Sequence, residues 1–379
     1  FPDDVDFIEV QFRDVDSLWN TIWPPSPADL DTATSTFHLV SLQVDPAEYF
    51  HENFQFRFRS FGRRAGPYDT WHIDYIYLDK DQDGSSIEIA DRAITTGPQS
   101  VFSGYTAIPA RQFKTYDQSI LQPTDIELYN YQTSLLVQAF EYSAFVTDLS
   151  NNTVIDTLVD KAARTILGGG TETLDAPAPD FQLLQDAIVN DTIPLNFSLD
   201  FIVNTGDTLL INTIDPIAGD TTYHDDISLR VNDTVRREFT IHDYYAYDDG
   251  SAEFGAGINQ KSGQLVYQYV LTDPDTLVAL DMYFTSIGRL VAGTPIELIV
   301  LSDLDDNASS VLYSGVKTIQ NTGAINRFGT YNIEPLVVRD TIYIGFIQNN
   351  DNFIPLGFDK NTDSGSRIHF NVTGVWEQN

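Results

Sequence analysis

The sequence predicts an all-β chain built from tandem antiparallel β-sandwiches, a jelly-roll, an Ig-like middle and a second jelly-roll. Three observations carry that prediction. Short runs alternate apolar and polar residues, turn-forming residues separate those runs, and helical periodicity is scarce. The composition agrees. Of 55 acidic residues 43 are aspartate, whose short side chain turns and caps the backbone, while 12% aromatics and a single methionine suit stiff sheet cores.

Taken in order, the first strands lie in "FQFRFRSFG" (54–62), where Phe54, Phe56 and Phe58 alternate with Gln55, Arg57 and Arg59. "DTWHIDYIYLD" follows, with Trp71, Ile73, Tyr75 and Tyr77 on one side of a strand and His72, Asp74, Ile76 and Leu78 on the other. This block, 1–115, is expected to be a lectin-like jelly-roll sandwich. The block 116–243 holds the two best helix candidates, "LVDKAARTIL" (158–167) and "PDFQLLQDAIV" (179–189), around the loop "LGGGTETLDAPAPD". "PLNFSLDFIV" (194–203) sets Leu195, Phe197, Leu199 and Phe201 against Asn196, Ser198 and Asp200, as a half-buried strand does. The block 244–379 carries eight short strands, from "QLVYQYVL" to "IHFNVTGVW", which fits a jelly-roll.

The formal charge of −34 repels nucleic acid and anionic membrane and attracts divalent cations. The chain has no cysteine, so thiol redox chemistry, zinc-thiolate sites and disulfides are excluded. No run of about 18 apolar residues is present, so no membrane insertion is expected. H-E-x-x-H, G-x-S-x-G and a strand-to-helix G-x-G-x-x-G are missing, and no catalytic constellation can be named. The expectation is a protein that is not an enzyme.

Several motifs in series, "YYAYDDGSAE" (244–253), "ALDMYF" (279–284), "IELIVLSD" (296–303), "IYIGFIQ" (342–348), "LGFDKN" (356–361) and "FNVTGVW" (370–376), together resemble a module of the type IX secretion-associated surface proteins of Bacteroidota. "FQFRFRSFG" and "DTWHIDYIYLD" resemble the second half of a lectin-like jelly-roll in the same proteins. The resemblance implies an extracellular or cell-surface location and usually a role in adhesion or structural display; it does not imply a reaction. It also implies further strands before residue 1 and after "GVW", so the expectation is a fragment, a processed form, or a subunit completed by a neighbour's strand.

Candidate sites follow from charge and from the resemblance. Asp79, Asp81 and Asp83 with Gly84 match the first half of a calcium loop; Ala90 stands where an EF-hand needs its bidentate glutamate, leaving Glu88 or Asp91 as substitutes. A solvated acidic hairpin tip explains the same residues. Asp248, Asp249 and Glu253 open the third block, where jelly-roll modules often place a calcium, with Asp359 as a fourth ligand; a tyrosine-packed Asp-Asp-Gly turn is the alternative. "LWNTIWPPSP" (18–27) offers Trp19 and Trp23 as a carbohydrate platform. Asp followed by Ser or Thr and a small or aliphatic residue occurs at Ser17, Thr32, Thr157, Thr192, Thr208, Thr221, Thr234, Thr276 and Thr341. That tripeptide resembles the O-glycosylation signal of exported Bacteroidota proteins, and it also suits the start of a strand after a turn.

The function expected is therefore a glycosylated surface or filament subunit that associates with itself or with other surface proteins. The alternative is the carbohydrate-binding accessory region of a secreted polysaccharide-degrading enzyme.

Overall fold

The computed structural model describes residues 7–23, 40–44, 46–62, 71–74, 76, 78, 91–132, 136–190, 193–206, 212–214, 218–223, 228–286, 291–305 and 307–378. The chain is all-β and divides into two compact units, Phe1–Ile87 and Glu88–Asn379. The expected boundary near residue 115 is not where it divides, because strands on both sides of that point belong to one sandwich.

The first unit holds β1 (Phe7–Arg13), β2 (Trp19–Trp23) and β3 (Gln55–Phe61) in the order β2-β1-β3. Val10, Phe12 and Tyr49 form its buried cluster, with Phe54 and Phe56 against them. The alternation read from "FQFRFRSFG" is real, and its polar side is a ladder. Arg59 pairs with Glu9 at 3.0 Å, and Arg57 Nε donates to Gln11 Oε1 at 2.8 Å. The described residues of 71–78 form no strand, and His72 and Asp74 are exposed.

The second unit begins with β4 (Arg92–Thr96), β5 (Ala107–Pro109), a one-turn α1 (Ala110–Phe113), β6 (Thr124–Asn130), β7 (Val137–Asp148), β8 (Thr153–Leu167) and β9 (Thr171–Ala176). Next come α2 (Phe181–Ala187), β10 (Leu195–Asn204), β11 (Asn212–Ile214), β12 (Thr221–Tyr223) and β13 (Thr234–His242). A sheet β5-β13-β10-β7-β8 faces a sheet β4-β6-β9. Phe102, Phe113, Ile126, Leu128, Leu174, Phe197, Phe201 and Phe239 share the one core between them. β5 runs parallel to β13, and β4 pairs with β6, which ties residues 92–109 to this sandwich.

The helix expected at 158–167 is strand β8. Its pairing to β7 along 15 residues outweighs a helical propensity that rests on few residues. Three register shifts interrupt that pairing, and at one of them Lys161 takes φ +46° while its N–H donates to Ser143 Oγ at 3.0 Å. The other expected helix is α2, capped by Asp180, whose carboxylate accepts from the N–H of Gln182 at 2.7 Å. β10 is buried on both sides from Phe197 to Phe201 instead of half-buried. On its polar side Asp200 accepts from Ser198 Oγ at 2.7 Å and pairs with Arg236 at 2.6 Å.

The ten strands that remain among the described residues exceed the eight expected. They are β14 (Phe254–Ile258), β15 (Gln264–Val270), β16 (Asp275–Met282), β17 (Pro295–Leu301) and β18 (Val311–Thr318), then β19 (Gly329–Val338), β20 (Thr341–Gln348), β21 (Ile354–Phe358), β22 (Ile368–Asn371) and β23 (Trp376–Gln378). A sheet β18-β17-β20-β15-β22-β23 stands with the pairs β14-β21 and β16-β19. Leu280, Ile296, Leu298, Tyr331, Phe346 and Ile354 fill the space between them. At the centre β20 needs Gly345, because a Cβ there would stand 1.9 Å from the Leu265 carbonyl oxygen.

Candidate functional site

The most elaborate polar arrangement in the second unit lies where the segment after β13 passes into β14. The sequence "YYAYDD" strings aromatics before acids, and the fold uses each group. The main chain of Ala246 is bound to Ala107 and Thr106, which holds the segment against β5. Tyr245 and Tyr247 then enter a stack. Tyr247 packs on Tyr105 with centroids 4.7 Å apart and on Tyr269 at 5.0 Å, and Tyr245 lies 5.0 Å from Tyr105. Burial pushes the Tyr267 phenol up to about 12 and raises Tyr245, Tyr247 and Tyr269 in the same direction. These phenols are packing groups at neutral pH.

Beside the stack the structure brings Asp248, Asp249, Glu253 and Asp359 together, as the sequence suggested. Asp359 accepts from the Asp249 N–H at 2.9 Å and from the Asn361 N–H at 2.6 Å. Asn361 Nδ2 donates to Asp249 at 3.0 Å, and the Lys360 N–H donates to Glu253 at 2.8 Å. Arg237, almost fully buried, reaches from β13 to Asp249 at 3.3 Å and donates to Thr362. Burial raises the Asp248 carboxyl. Burial also works against Asp249, but hydrogen bonds from Ser251 and Asn361 and the charge of Arg237 outweigh it and hold that carboxyl low. The cluster thus fixes two segments by amides and a guanidinium. Among the described residues no group of three or more His, Asp or Glu side chains is arranged to hold a metal ion. Asp79, Asp81, Asp83 and Glu88 lie outside the described residues.

In the first unit, Trp19 and Trp23 belong to strand β2 and not to a loop. A register shift between Val10 and Gln11 separates their surroundings. Trp23 turns onto the cluster of Val10, Phe12 and Tyr49, whereas Trp19 lies under the Arg57 guanidinium at 4.2 Å. Trp19, Phe54, Gln55, Phe56 and Leu78 line a shallow depression of about 420 Å³. So one of the two tryptophans borders an open surface, and the paired platform does not form.

Of the candidate glycosylation residues, Ser17, Thr157, Thr221, Thr234 and Thr276 are exposed and Thr341 is half-buried. Thr221, Thr234 and Thr341 are the first residues of β12, β13 and β20, and Asp340 before Thr341 has φ +56°. The pattern therefore follows strand starts wherever those three fall. Thr32, Thr192 and Thr208 lie outside the described residues.

No family model and no curated protein matches this chain. Among solved structures it is similar to a bacterial adhesin from Mobiluncus mulieris containing intramolecular disulfide, isopeptide and ester bond cross-links. The likeness has a TM-score of 0.23 and 8% identity, covering 69% of this chain and 96% of that one. No helix among the described residues is long and apolar enough to cross a membrane.

Sequence reasoning missed Arg237 and Asn361, which complete the acidic cluster. The period-two alternation of "TVRREFT" puts Arg237 on the inward side with Val235 and Phe239, so the strand pattern could have found it, whereas nothing local marks Asn361.

Proposed function

We propose that the chain is a non-catalytic extracellular structural or adhesive protein whose copies join by strand addition. The observation that carries this reading is the edge of the six-stranded sheet. β18 runs for eight residues and pairs on one side with β17; among the described residues no strand pairs with its other side. Such an edge presents a row of main-chain donors and acceptors to another strand. Val311 and Val316, 45% and 67% exposed, give an incoming strand apolar side chains to cover. Buried or partly buried carboxylates such as Asp200, Asp249 and Glu9 are each held by an arginine, which favours a structural role over proton transfer.

The charge of −34 opposes association, so salt and calcium act by screening it and assembly grows with ionic strength. O-glycans occupy exposed Asp-Ser/Thr positions such as Thr157 and Thr276 and keep the rest of the surface solvated. The test is electron microscopy and sizing of the purified protein beside Val316→Lys. Ordered assemblies that strengthen with salt and vanish in the lysine variant are expected. A monodisperse monomer at every salt and protein concentration sinks the proposal.

A second reading rests on the depression lined by Trp19, Phe54, Gln55 and Phe56, where aromatic surface beside a carboxamide suits a sugar ring. Binding on a glycan array that is lost in Trp19→Ala would favour it.

A further inference from the structure

Gln112 is fully buried in α1, at the contact between its own sandwich and the turn that joins β15 to β16. Every polar atom of its carboxamide is engaged. Oε1 accepts from the main-chain N–H groups of Thr272 at 3.2 Å and Asp273 at 3.1 Å. Nε2 donates to the Asp273 carbonyl at 2.9 Å and to Asp275 Oδ2 at 3.1 Å. The Thr272 hydroxyl donates to Oε1 at 2.9 Å and its oxygen lies 2.6 Å from Thr115 Oγ1. Thr115 in turn donates to the Gln112 main-chain carbonyl at 2.8 Å.

These are the contacts that an acyl transfer requires. Two main-chain N–H groups on a carbonyl oxygen form an oxyanion hole, polarising Cδ and ready to hold the negative charge of a tetrahedral intermediate. With a C=O bond of about 1.23 Å, a hydroxyl at that position stands on the order of 3–4 Å from Cδ, close to a near-attack distance. Because Thr115 spends its own hydrogen on the Gln112 carbonyl, its oxygen is the acceptor at hand when the Thr272 hydrogen turns away from Oε1. That turn leaves a Thr272 lone pair free for the carboxamide carbon. Asp275 holds the nitrogen and steadies the positive charge that nitrogen gains when it is protonated.

We propose that Thr272 and Gln112 form an intramolecular ester that cross-links two parts of the second unit, 160 residues apart in sequence. The Thr272 Oγ1–Cδ bond forms, the Cδ–Nε2 bond breaks, and the hydroxyl proton passes to the departing nitrogen, which leaves as ammonia. No atom changes oxidation state, and no co-reactant is needed. Thr272 and Thr115 are exposed, so ammonia has a way out. The acyl carbon sits on a fully buried side chain, which shields the ester from water. The inference stands apart from strand addition and holds whether or not copies assemble.

The test is the intact mass of the full chain, made in a host that adds no glycan, followed by peptide mapping. The expected result is a protein lighter than its sequence by one ammonia, with the peptide carrying Gln112 joined to the one carrying Thr272 and released by hydroxylamine. Thr272→Val is expected at full sequence mass and Thr272→Ser again one ammonia short. Folded wild type at full sequence mass overturns the proposal, as does a deficit that maps elsewhere or persists in Thr272→Val. In either case Gln112 serves only to cap the turn.

Discussion

Asp248 shows how much of this molecule is decided side chain by side chain. Its carboxyl is raised by burial, with Asp359 and Asp249 adding repulsion, against the pull of the Gly250 N–H at 3.0 Å. A folded value above the unfolded one means that the folded state holds the proton more tightly. That stabilisation is full below the unfolded value near 3.8 and is lost as pH rises through the raised folded value. Asp248→Asn keeps the oxygen that accepts from Gly250 and removes the charge. It is expected to stabilise the protein at pH 7 by about 1 kcal/mol and to lose that advantage in acid, where the aspartate is itself neutral. Denaturant titrations at neutral and low pH check both parts; an asparagine variant weaker at neutral pH contradicts the reasoning. The sequence displayed these acids as a group. It did not display that Arg237, 12 residues from Asp249, and Asn361, 112 residues from it, would answer them. Strand alternation turns Arg237 inward, but which acid it meets is set by tertiary pairing and leaves no local pattern.

At the scale of elements, the period-two runs were the most legible part of the chain. β3, β10, β15, β17 and β20 all fall where alternating or apolar residues announce them. β8 was not legible. "LVDKAARTIL" has the alanines and charged residues of a helix, and only its long partner β7 decides otherwise. The Tyr105 hydroxyl illustrates a contact between elements that sequence cannot reveal, since it accepts from the Val270 N–H at 3.0 Å and donates to the Val270 carbonyl at 3.3 Å. Tyr105→Phe removes both bonds while keeping the ring in its stack. The expected cost is about 1–3 kcal/mol, read from urea unfolding with an unchanged m-value. A cost near zero would mean that the stack and the Gln112 contacts hold β15 against the first sandwich without this hydroxyl.

For the whole molecule, the division at Ile87/Glu88 rather than near residue 115 follows from pairings that cross the expected boundary. Strand spacing counts strands, but it does not say which sheet each one joins. The tyrosine stack, Gln112 and Arg237 then bind the two sandwiches of residues 88–379 into one cooperative body. A fragment spanning 88–379 is expected to fold alone and melt in a single transition by calorimetry, with matching calorimetric and van't Hoff enthalpies. Two resolved transitions would show that each sandwich keeps its own stability.

The three register shifts in β8 bear on how many neighbours one molecule can accept. A long border strand with three register shifts offers an incoming chain no continuous run of matching groups, so strand addition, as proposed, is disfavoured along that side. β18 has a single such shift, near its start. If two β18 strands meet each other antiparallel, the pair closes on a twofold axis and growth stops at two. If β18 instead meets the opposite end of a neighbour's sheet at β23, every arrival exposes a fresh docking place and the array continues. Under the proposed strand addition, the choice between a closed couple and an unending row is therefore written in which borders are left straight.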